Sequence, residues 1–152
     1  MIGNTAEIIV YNRTGTADID TETVWFGHKI TGVRVEYDDG TTNTGAGTEN
    51  AAAVRISIPD SSMTAPYPMG KRYMEANRNL AAVIDYSHDC FVLVTKYPAL
   101  GLDIDFPPTG RIRDEKYESG FLEYMTKEYG TVYRVTRAAH FDLIPHWELE
   151  AR

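Results

Sequence analysis

Short runs in which hydrophobic and polar positions alternate recur along this chain, and such alternation is typical of β-strands with one face in water. In residues 53–58 the side chains of Val54, Ile56 and Ile58 alternate with others, and Pro59 ends the run because proline cannot donate to a strand ladder. Further β-rich runs lie at residues 6–12, 91–95, 131–136 and 146–150. Several short strands separated by turn residues predict a mainly β fold, either a small barrel or a sandwich.

The longest β-rich stretch, residues 23–36, predicts two strands. Val33 and Val35 alternate with charged residues directly after Gly32, and a glycine inside a strand pattern often marks a bend. We therefore expect one strand, a bend at Gly32, and a second strand with one face in water.

At most one or two short helices are expected. Tyr73, Asn77 and Leu80 recur at spacings of three or four, which favours a short helix or turn over residues 71–79, followed by a strand. Residues 121–129 suit either a short helix or a strand.

Two long segments have no helix or strand period. Residues 38–50 contain Gly, Thr, Asn and acids but no large apolar residue, so they are expected to form a flexible loop. Residues 98–120 are rich in Pro and Gly and are expected to form an extended arm. The apolar side chains that would give this arm one sticky face are Leu100, Leu102, Ile104 and Phe106. Because long loops in a small domain are usually functional, both segments are expected to leave the core and touch other molecules.

Composition fits one globular domain over residues 1–152, since 43% of the residues are hydrophobic and 24% are charged. There are 15 Lys and Arg against 22 Asp and Glu, and the resulting net charge of −7 argues against a broad phosphate-binding face. No apolar run approaches the roughly 20 residues of a membrane helix. The first residues lack the basic and apolar regions of a secretory signal.

A single cysteine, Cys90, fits a protein made and used in a reducing cytoplasm. One thiol cannot form an internal disulfide or a multi-cysteine zinc site. Within the run DCFVLVT, Cys90 is interpreted as a small buried hydrophobe. The alternative is a nucleophile, which would need a base, and His88 is close in sequence.

The sequence carries no compact catalytic or metal-binding motif, so no catalytic, cofactor-binding or metal-binding residue is assigned. It lacks H-E-x-x-H, G-x-S-x-G, Walker and G-x-G-x-x-G patterns. His140, His146 and Asp142 are a metal-site alternative, although such histidines are more often partly buried groups at strand ends. Paired carboxylates can hydrolyse glycosides only where two of them flank one cleft. We therefore expect a protein that is not an enzyme and needs no cofactor.

The order of the strand motifs resembles that of small structural proteins of tailed bacteriophages, the minor capsid or head–tail connector proteins. In that family an opening strand ends in Tyr-Asn, an aromatic doublet precedes Gly-Val, and a glycine-rich segment leads to a Val-Arg-Ile-x-Ile-Pro strand. The matching positions are Tyr11-Asn12, Trp25-Phe26, Gly32-Val33, and residues 54–56 with Ile58 and Pro59. The closing strands TVYRVTRAAH and HWELEAR match as well, whereas His88-Asp89 stands where the family often has Gly-Asp.

The resemblance implies a homo-oligomeric ring in the virion, assembled in the host cytoplasm and placed at the head–tail junction as a stopper or head-closure protein. Its partners would be other copies of itself, a portal or adaptor protein on the head side, and a tail terminator or tail tube protein on the tail side. Genomic DNA would pass through the channel without sequence-specific binding, and no membrane is involved. Acidic residues of the loop, Asp38, Asp39 and Glu49, are candidates to line or close that channel. The apolar residues of segment 98–120 are candidates for docking, because extended segments can add to a neighbour's sheet.

Three alternatives remain open at this point. The first is a tail-terminator or other tail-proximal ring protein. The second is a small carbohydrate-binding or hydrolytic β domain, which requires Trp25, Trp147 and tyrosines to converge with at least two acids in one concave site. The third is a phage protein that binds one bacterial partner and is absent from virions.

Overall fold

The computed structural model describes residues 5–14, 24–38, 41–44, 47–50, 53–62, 90–130 and 132–152. The strands within these residues are β1 (Ala6–Thr14), β2 (Val24–Asp38), β3 (Thr41–Thr44), β4 (Gly47–Asn50), β5 (Ala53–Pro59), β6 (Cys90–Tyr97), β7 (Leu102–Asp103), β8 (Gly110–Arg113), β9 (Val132–Phe141) and β10 (His146–Ala151). Helix α1 is Phe121–Tyr129, and short 3-10 turns lie at Asp60–Ser62, Pro98–Leu100 and Asp114–Lys116.

Six of the described strands close a ring. β1 pairs with β2, β2 with β5, β5 with β10, β10 with β9, β9 with β6, and β6 returns to β1, always antiparallel. Closure leaves these strands with neighbours on both sides, which removes the free edges of an open sheet. The prediction of a mainly β fold, either a small barrel or a sandwich, is confirmed, and the closed ring of strands favours the barrel.

The bend predicted at Gly32 lies inside one continuous strand of 15 residues, not between two strands. Before the bend β2 pairs with β1, and after it Arg34 pairs with Ser57 of β5. Gly32 has a φ of 69°, a left-handed value that favours glycine. The strand therefore turns at Gly32 while its backbone pairing moves to the next strand of the barrel.

The barrel interior is filled by the inward half of each strand's alternating side chains. On β5 these are Val54, Ile56 and Ile58, which are all buried, as the alternation predicted. The same interior core holds Ala6, Ile8, Val10, Ile30, Val33, Val35, Cys90, Val92, Val94, Val135, Leu149 and Ala151. Cys90 is thus a small buried side chain among aliphatic neighbours, while His88 lies outside the described residues.

A second core lies outside the barrel, where α1 and β8 cover one side of β1, β2 and β6. Its buried members are Ile9, Tyr11, Trp25, Phe91, Leu93, Ile112, Phe121 and Met125. Strands β1 and β6 are therefore buried on both faces, which explains why their sequences are continuous apolar runs and do not alternate. Tyr11 stacks on Phe91 with ring centroids 4.7 Å apart, and Phe121 meets Tyr11 edge-on at 5.2 Å.

Helix α1 settles the ambiguity between helix and strand at residues 121–129. Phe121 and Met125, four residues apart, are its two buried residues and share one face. The Asp114 carboxylate accepts a hydrogen bond from the backbone N–H of Phe121 at 2.8 Å, and Gly130 ends the helix at a φ of 72°. The helix predicted at residues 71–79 lies outside the described residues.

The two segments without periodicity contain paired strands. Within residues 38–50, β3 and β4 form a two-stranded antiparallel ladder in which Thr41 pairs with Asn50. A backbone ladder needs no large apolar side chain, so the absence of such side chains did not reveal it. Residues 98–120 stay on the barrel, because β7 pairs with the end of β6 and β8 pairs with the start of β2. This segment is a strap along the barrel wall and not an arm that extends from it.

Candidate interaction surfaces

Several large apolar side chains are exposed on the described surface, and the two most exposed lie in two separate loops. We call residues 104–109 the Phe106 loop and residues 141–146 the hairpin tip, which joins β9 to β10. Phe106 and Leu143 are each 98% exposed, and Ile144 is 65% exposed. Exposed side chains of this size can serve as anchors when a protein partner covers them.

The four docking candidates from the sequence do not form one face. Leu102 is half-buried against the interior core and pairs with Tyr97, and Ile104 is half-buried against the second core. Leu100 and Phe106 remain exposed. The strict alternation would put all four side chains on one side of a straight strand, but the chain turns at Gly101, whose φ is 66°, and again at Phe106.

Phe106 has an unusual backbone conformation. Its φ is 50°, the one positive value among the described residues other than glycine, and a bulky side chain rarely adopts this left-handed region. Such a conformation costs on the order of 1–3 kcal/mol and persists where the surroundings impose it. Phe106 therefore combines a strained backbone with an almost fully exposed aromatic ring.

The Phe106 loop is fixed to the barrel through Tyr11. The Tyr11 hydroxyl donates a hydrogen bond to the carbonyl oxygen of Pro108 at 2.6 Å, and burial raises the pKa of Tyr11, so the hydroxyl keeps its proton. The Tyr11 ring lies over Gly27, where an added Cβ would be 2.7 Å from the Tyr11 Cε1. Because the Tyr11 ring is buried in the second core, its hydroxyl fixes the base of the Phe106 loop relative to that core.

The hairpin tip is held by contacts to the turn after β5. The backbone N–H of Asp60 donates to the carbonyl oxygen of Pro145 at 3.2 Å. The His140 Nε2 lies 3.0 Å from both carboxylate oxygens of Asp60, and its Nδ1 lies 3.0 Å from Asp142 Oδ1. At the other side of the tip, the rings of His146 and Phe141 stack with centroids 5.1 Å apart.

The two carboxylates beside His140 favour its charged form. A doubly protonated imidazole donates from both nitrogens, so it can bond Asp60 and Asp142 at once. The hydrogen bond to Asp60 is the main cause that raises the pKa of His140 above its usual value of 6.5. Desolvation has the opposite effect on His28, whose pKa is lowered by burial inside the protein.

The acidic candidates for a channel lie on two different ladders. Asp38 is the last residue of β2 and its backbone pairs with Ala53, whereas Glu49 is on β4 opposite Thr42. Asp39 lies outside the described residues. The fold thus places Asp38 and Glu49 around the same connection between β2 and β5.

The described residues do not bring together the side chains that the alternative metal site or carbohydrate site would need. No group of three or more His, Cys, Asp or Glu side chains there is arranged to hold a metal ion, and His146 turns to the Ile144 carbonyl and Glu148 instead of to His140. Trp25 is buried in the second core and bonds Asp114, while Trp147 packs against the interior core beside His140. The two tryptophans therefore do not converge on one concave site.

Sequence reasoning missed the hairpin tip as a surface. The run FDLIP contains three apolar residues between two histidines, and the histidines favoured a metal-site interpretation. A short apolar run flanked by strand residues and ended by a proline was the available signal, because a hairpin turn exposes its central side chains.

No family model matches the chain, and neither a curated protein nor a solved structure matches it. Among the described residues, no helix has the length and hydropathy required to cross a membrane.

Proposed function

We propose that this protein is a structural virion protein of a tailed phage, forming a ring at the head–tail connector as a stopper or head-closure protein. The ring joins the portal region to the tail and lines or closes the DNA channel. The proposal is supported by the resemblance of the strand motifs to that family and by the exposed aromatic ring of the Phe106 loop.

The observation that carries the proposal is the Phe106 loop. A protein without a partner gains nothing from a strained backbone that exposes a whole phenylalanine ring, whereas burying that ring in a neighbour contributes about 2 kcal/mol or more. The hydrogen bond from Tyr11 fixes the loop before it binds, so little conformational entropy is lost on docking. The loop is suited to anchor this chain in a neighbouring virion component.

The charge of the chain supports the role in a DNA channel. The net charge of −7 and the acidic residues near the β2–β5 connection would repel phosphates, which lets DNA slide past a wall without sticking to it. Asp38, Asp39 and Glu49 remain the acidic candidates for the channel, and the backbones of Asp38 and Glu49 belong to ladders around this connection. A tail-terminator ring would share these features and differ in its position within the particle.

The experiment that tests the proposed function replaces the Phe106 ring in phage that encode the protein. Phe106→Ser should leave the fold intact, because the ring is exposed, and should deplete the protein from purified virions and leave heads without tails. Tyr124→Ser, which removes a partly exposed aromatic ring from α1, is the matched control and should assemble normally. Normal virions with Phe106→Ser, or wild-type virions that lack the protein by mass spectrometry, would refute the proposal.

A further inference from the structure

We propose that the bridge Asp60–His140–Asp142, which we call the histidine latch, orders the hairpin tip only while the His140 ring carries two protons. Loss of one proton opens the side of the latch at Asp142 and frees the start of the tip. The inference goes beyond the proposed function and does not depend on it, because it concerns the order of the tip in the isolated chain.

The latch joins three elements through one ring. His140 lies near the end of β9, Asp142 belongs to the hairpin tip, and Asp60 is the first residue of the 3-10 turn after β5. The ring Nε2 lies 3.0 Å from both carboxylate oxygens of Asp60, and Nδ1 lies 3.0 Å from Asp142 Oδ1. Each ring nitrogen is therefore within hydrogen-bond distance of a carboxylate.

Only the doubly protonated ring can form both sides of the latch. An ionised carboxylate accepts hydrogen bonds and cannot donate, while a neutral imidazole has a single N–H. In the neutral form the second nitrogen would direct a lone pair at a carboxylate oxygen 3.0 Å away, and the two would repel each other. A neutral His140 must therefore give up one of its two partners.

The partner that a neutral ring gives up is Asp142. Asp60 presents both carboxylate oxygens to Nε2 and is 41% exposed at its side chain, whereas Asp142 presents one oxygen to Nδ1 and is 97% exposed. Water can hydrate the Asp142 carboxylate without any rearrangement of the barrel. The neutral ring accordingly keeps its proton on Nε2 and stays bonded to Asp60.

The groups that face the ring set the direction of the pH dependence. Carboxylates come from the turn after β5 and from the tip, and from β10 the ring of Trp147 lies with its centroid 5.0 Å from that of His140. The hydrogen bond to Asp60 is the main cause that raises the pKa of His140 above 6.5. The latch is therefore closed at low pH and opens as the pH rises through that raised pKa.

The other contacts of the tip lie towards its β10 end. A backbone hydrogen bond from the turn after β5 reaches the carbonyl oxygen of Pro145 at 3.2 Å, and the Nδ1 of His146 faces the carbonyl oxygen of Ile144. Opening the latch therefore frees the β9 end of the tip, which includes the exposed Leu143, while the strands stay paired. A contact made through Leu143 should weaken as the pH rises, because a mobile segment loses more conformational entropy when it binds.

NMR relaxation of the full chain tests the latch through the backbone Cα–H bonds, which do not exchange with water. In the wild type, the order parameters of Asp142 and Leu143 should be near 0.85 at about pH 5 and fall below about 0.6 at about pH 9. The midpoint of this fall should match the titration of the His140 imidazole. Above that midpoint, the nitrogen shifts of the ring should show the proton on Nε2.

Two single substitutions on the same hairpin separate the latch from a general effect of pH. Asp142→Asn offers an acceptor oxygen and a donor nitrogen, so it can bond either form of the ring, and the order of the tip should no longer change with pH. Glu148→Gln removes a carboxylate 3.4 Å from the His146 Nε2 and should keep the wild-type fall. A wild-type tip with the same order at both pH values, a midpoint that differs from that of His140, or an unchanged fall in Asp142→Asn would overturn the inference.

Discussion

A single carboxylate oxygen, on Asp114, helps to attach helix α1 to strand β2 of the barrel. The carboxylate oxygen Oδ1 of Asp114 accepts from the Trp25 indole at 3.0 Å and from the Phe121 backbone at 2.8 Å. It therefore satisfies a buried donor of β2 and the first N–H of α1 with one atom. Buried donors that lose their acceptor cost more than an average hydrogen bond contributes, so this residue should matter more than its half-exposed position suggests.

Asp114→Ala is expected to lower the free energy of unfolding by about 1–3 kcal/mol, because both donors lose their acceptor and α1 loses its cap. Urea unfolding followed by tryptophan fluorescence measures this loss. Asp114→Asn keeps an acceptor oxygen and should recover much of the stability. Glu115→Ala, which removes only the exposed partner of Arg113, should change stability by no more than about 0.5 kcal/mol. Equal losses for Asp114→Ala and Glu115→Ala would contradict the capping role.

Two histidines should titrate on opposite sides of 6.5. Asp60 and Asp142 raise the pKa of His140, whereas burial lowers that of His28. A raised folded pKa means that His140 stabilises the fold fully below 6.5 and loses that contribution as pH rises through its folded pKa. A lowered folded pKa means that His28 reduces stability as pH falls below 6.5, since the unfolded chain then binds more protons.

NMR titration of the imidazole signals measures both shifts in one experiment. Asp60→Asn should move the pKa of His140 back towards 6.5, because the hydrogen bond to Asp60 is the main cause of the rise. Glu148→Gln changes the partner of His146 and should leave His140 unaffected. A His140 pKa at or below 6.5 in the wild type would show that His140 is not bonded between Asp60 and Asp142.

At the scale of elements, the strap of residues 98–120 connects the interior of the protein with its exposed contact loop. Its ends are fixed by β7 on β6 and by β8 on β2, and Ile104 donates its backbone N–H to Thr95 at 2.8 Å. Between these anchors the Phe106 loop receives a long-range hydrogen bond from the Tyr11 hydroxyl. The position of the loop should therefore depend on that hydroxyl.

Tyr11→Phe removes the hydroxyl and keeps the ring, so it should cost about 1 kcal/mol of stability while it loosens the Phe106 loop. Hydrogen exchange of the loop amides should become faster than in the wild type, while exchange in β1 and β6 stays slow. Tyr117→Phe, a change of the same chemistry in the second core, should not affect the loop. Unchanged exchange at residues 104–109 in Tyr11→Phe would mean that the strap holds the loop without Tyr11.

The sequence revealed those parts of the fold that depend on neighbours in the chain. Alternation identified the inward residues of β5, and Phe121 and Met125 are spaced as one helix face requires. The course of the strap could not be predicted, because the contacts that fix it join distant parts of the chain, as in the Tyr11–Pro108 bond between residues 97 positions apart. The exposed pair at the hairpin tip was also missed, since alternation does not say which side chains a turn leaves in water.

At the scale of the whole molecule, the closed barrel forms a rigid body, and its most exposed apolar side chains lie outside the barrel strands. The six-stranded ring and its covering helix bury most apolar strand residues, and the most exposed large apolar side chains, Phe106 and Leu143, lie in loops between the strands. Such a body can be repeated around an axis without changing its own fold. A rigid body with exposed apolar loops would suit the proposed ring subunit, which repeats one contact around an axis.

The most direct test of the proposed role is cryo-electron microscopy of the head–tail junction in phage particles that encode this protein. The account predicts copies of the six-stranded barrel repeated around the channel between portal and tail, with the Phe106 ring buried in a neighbouring protein. A junction filled entirely by other chains, or barrels whose Phe106 rings face solvent, would contradict it.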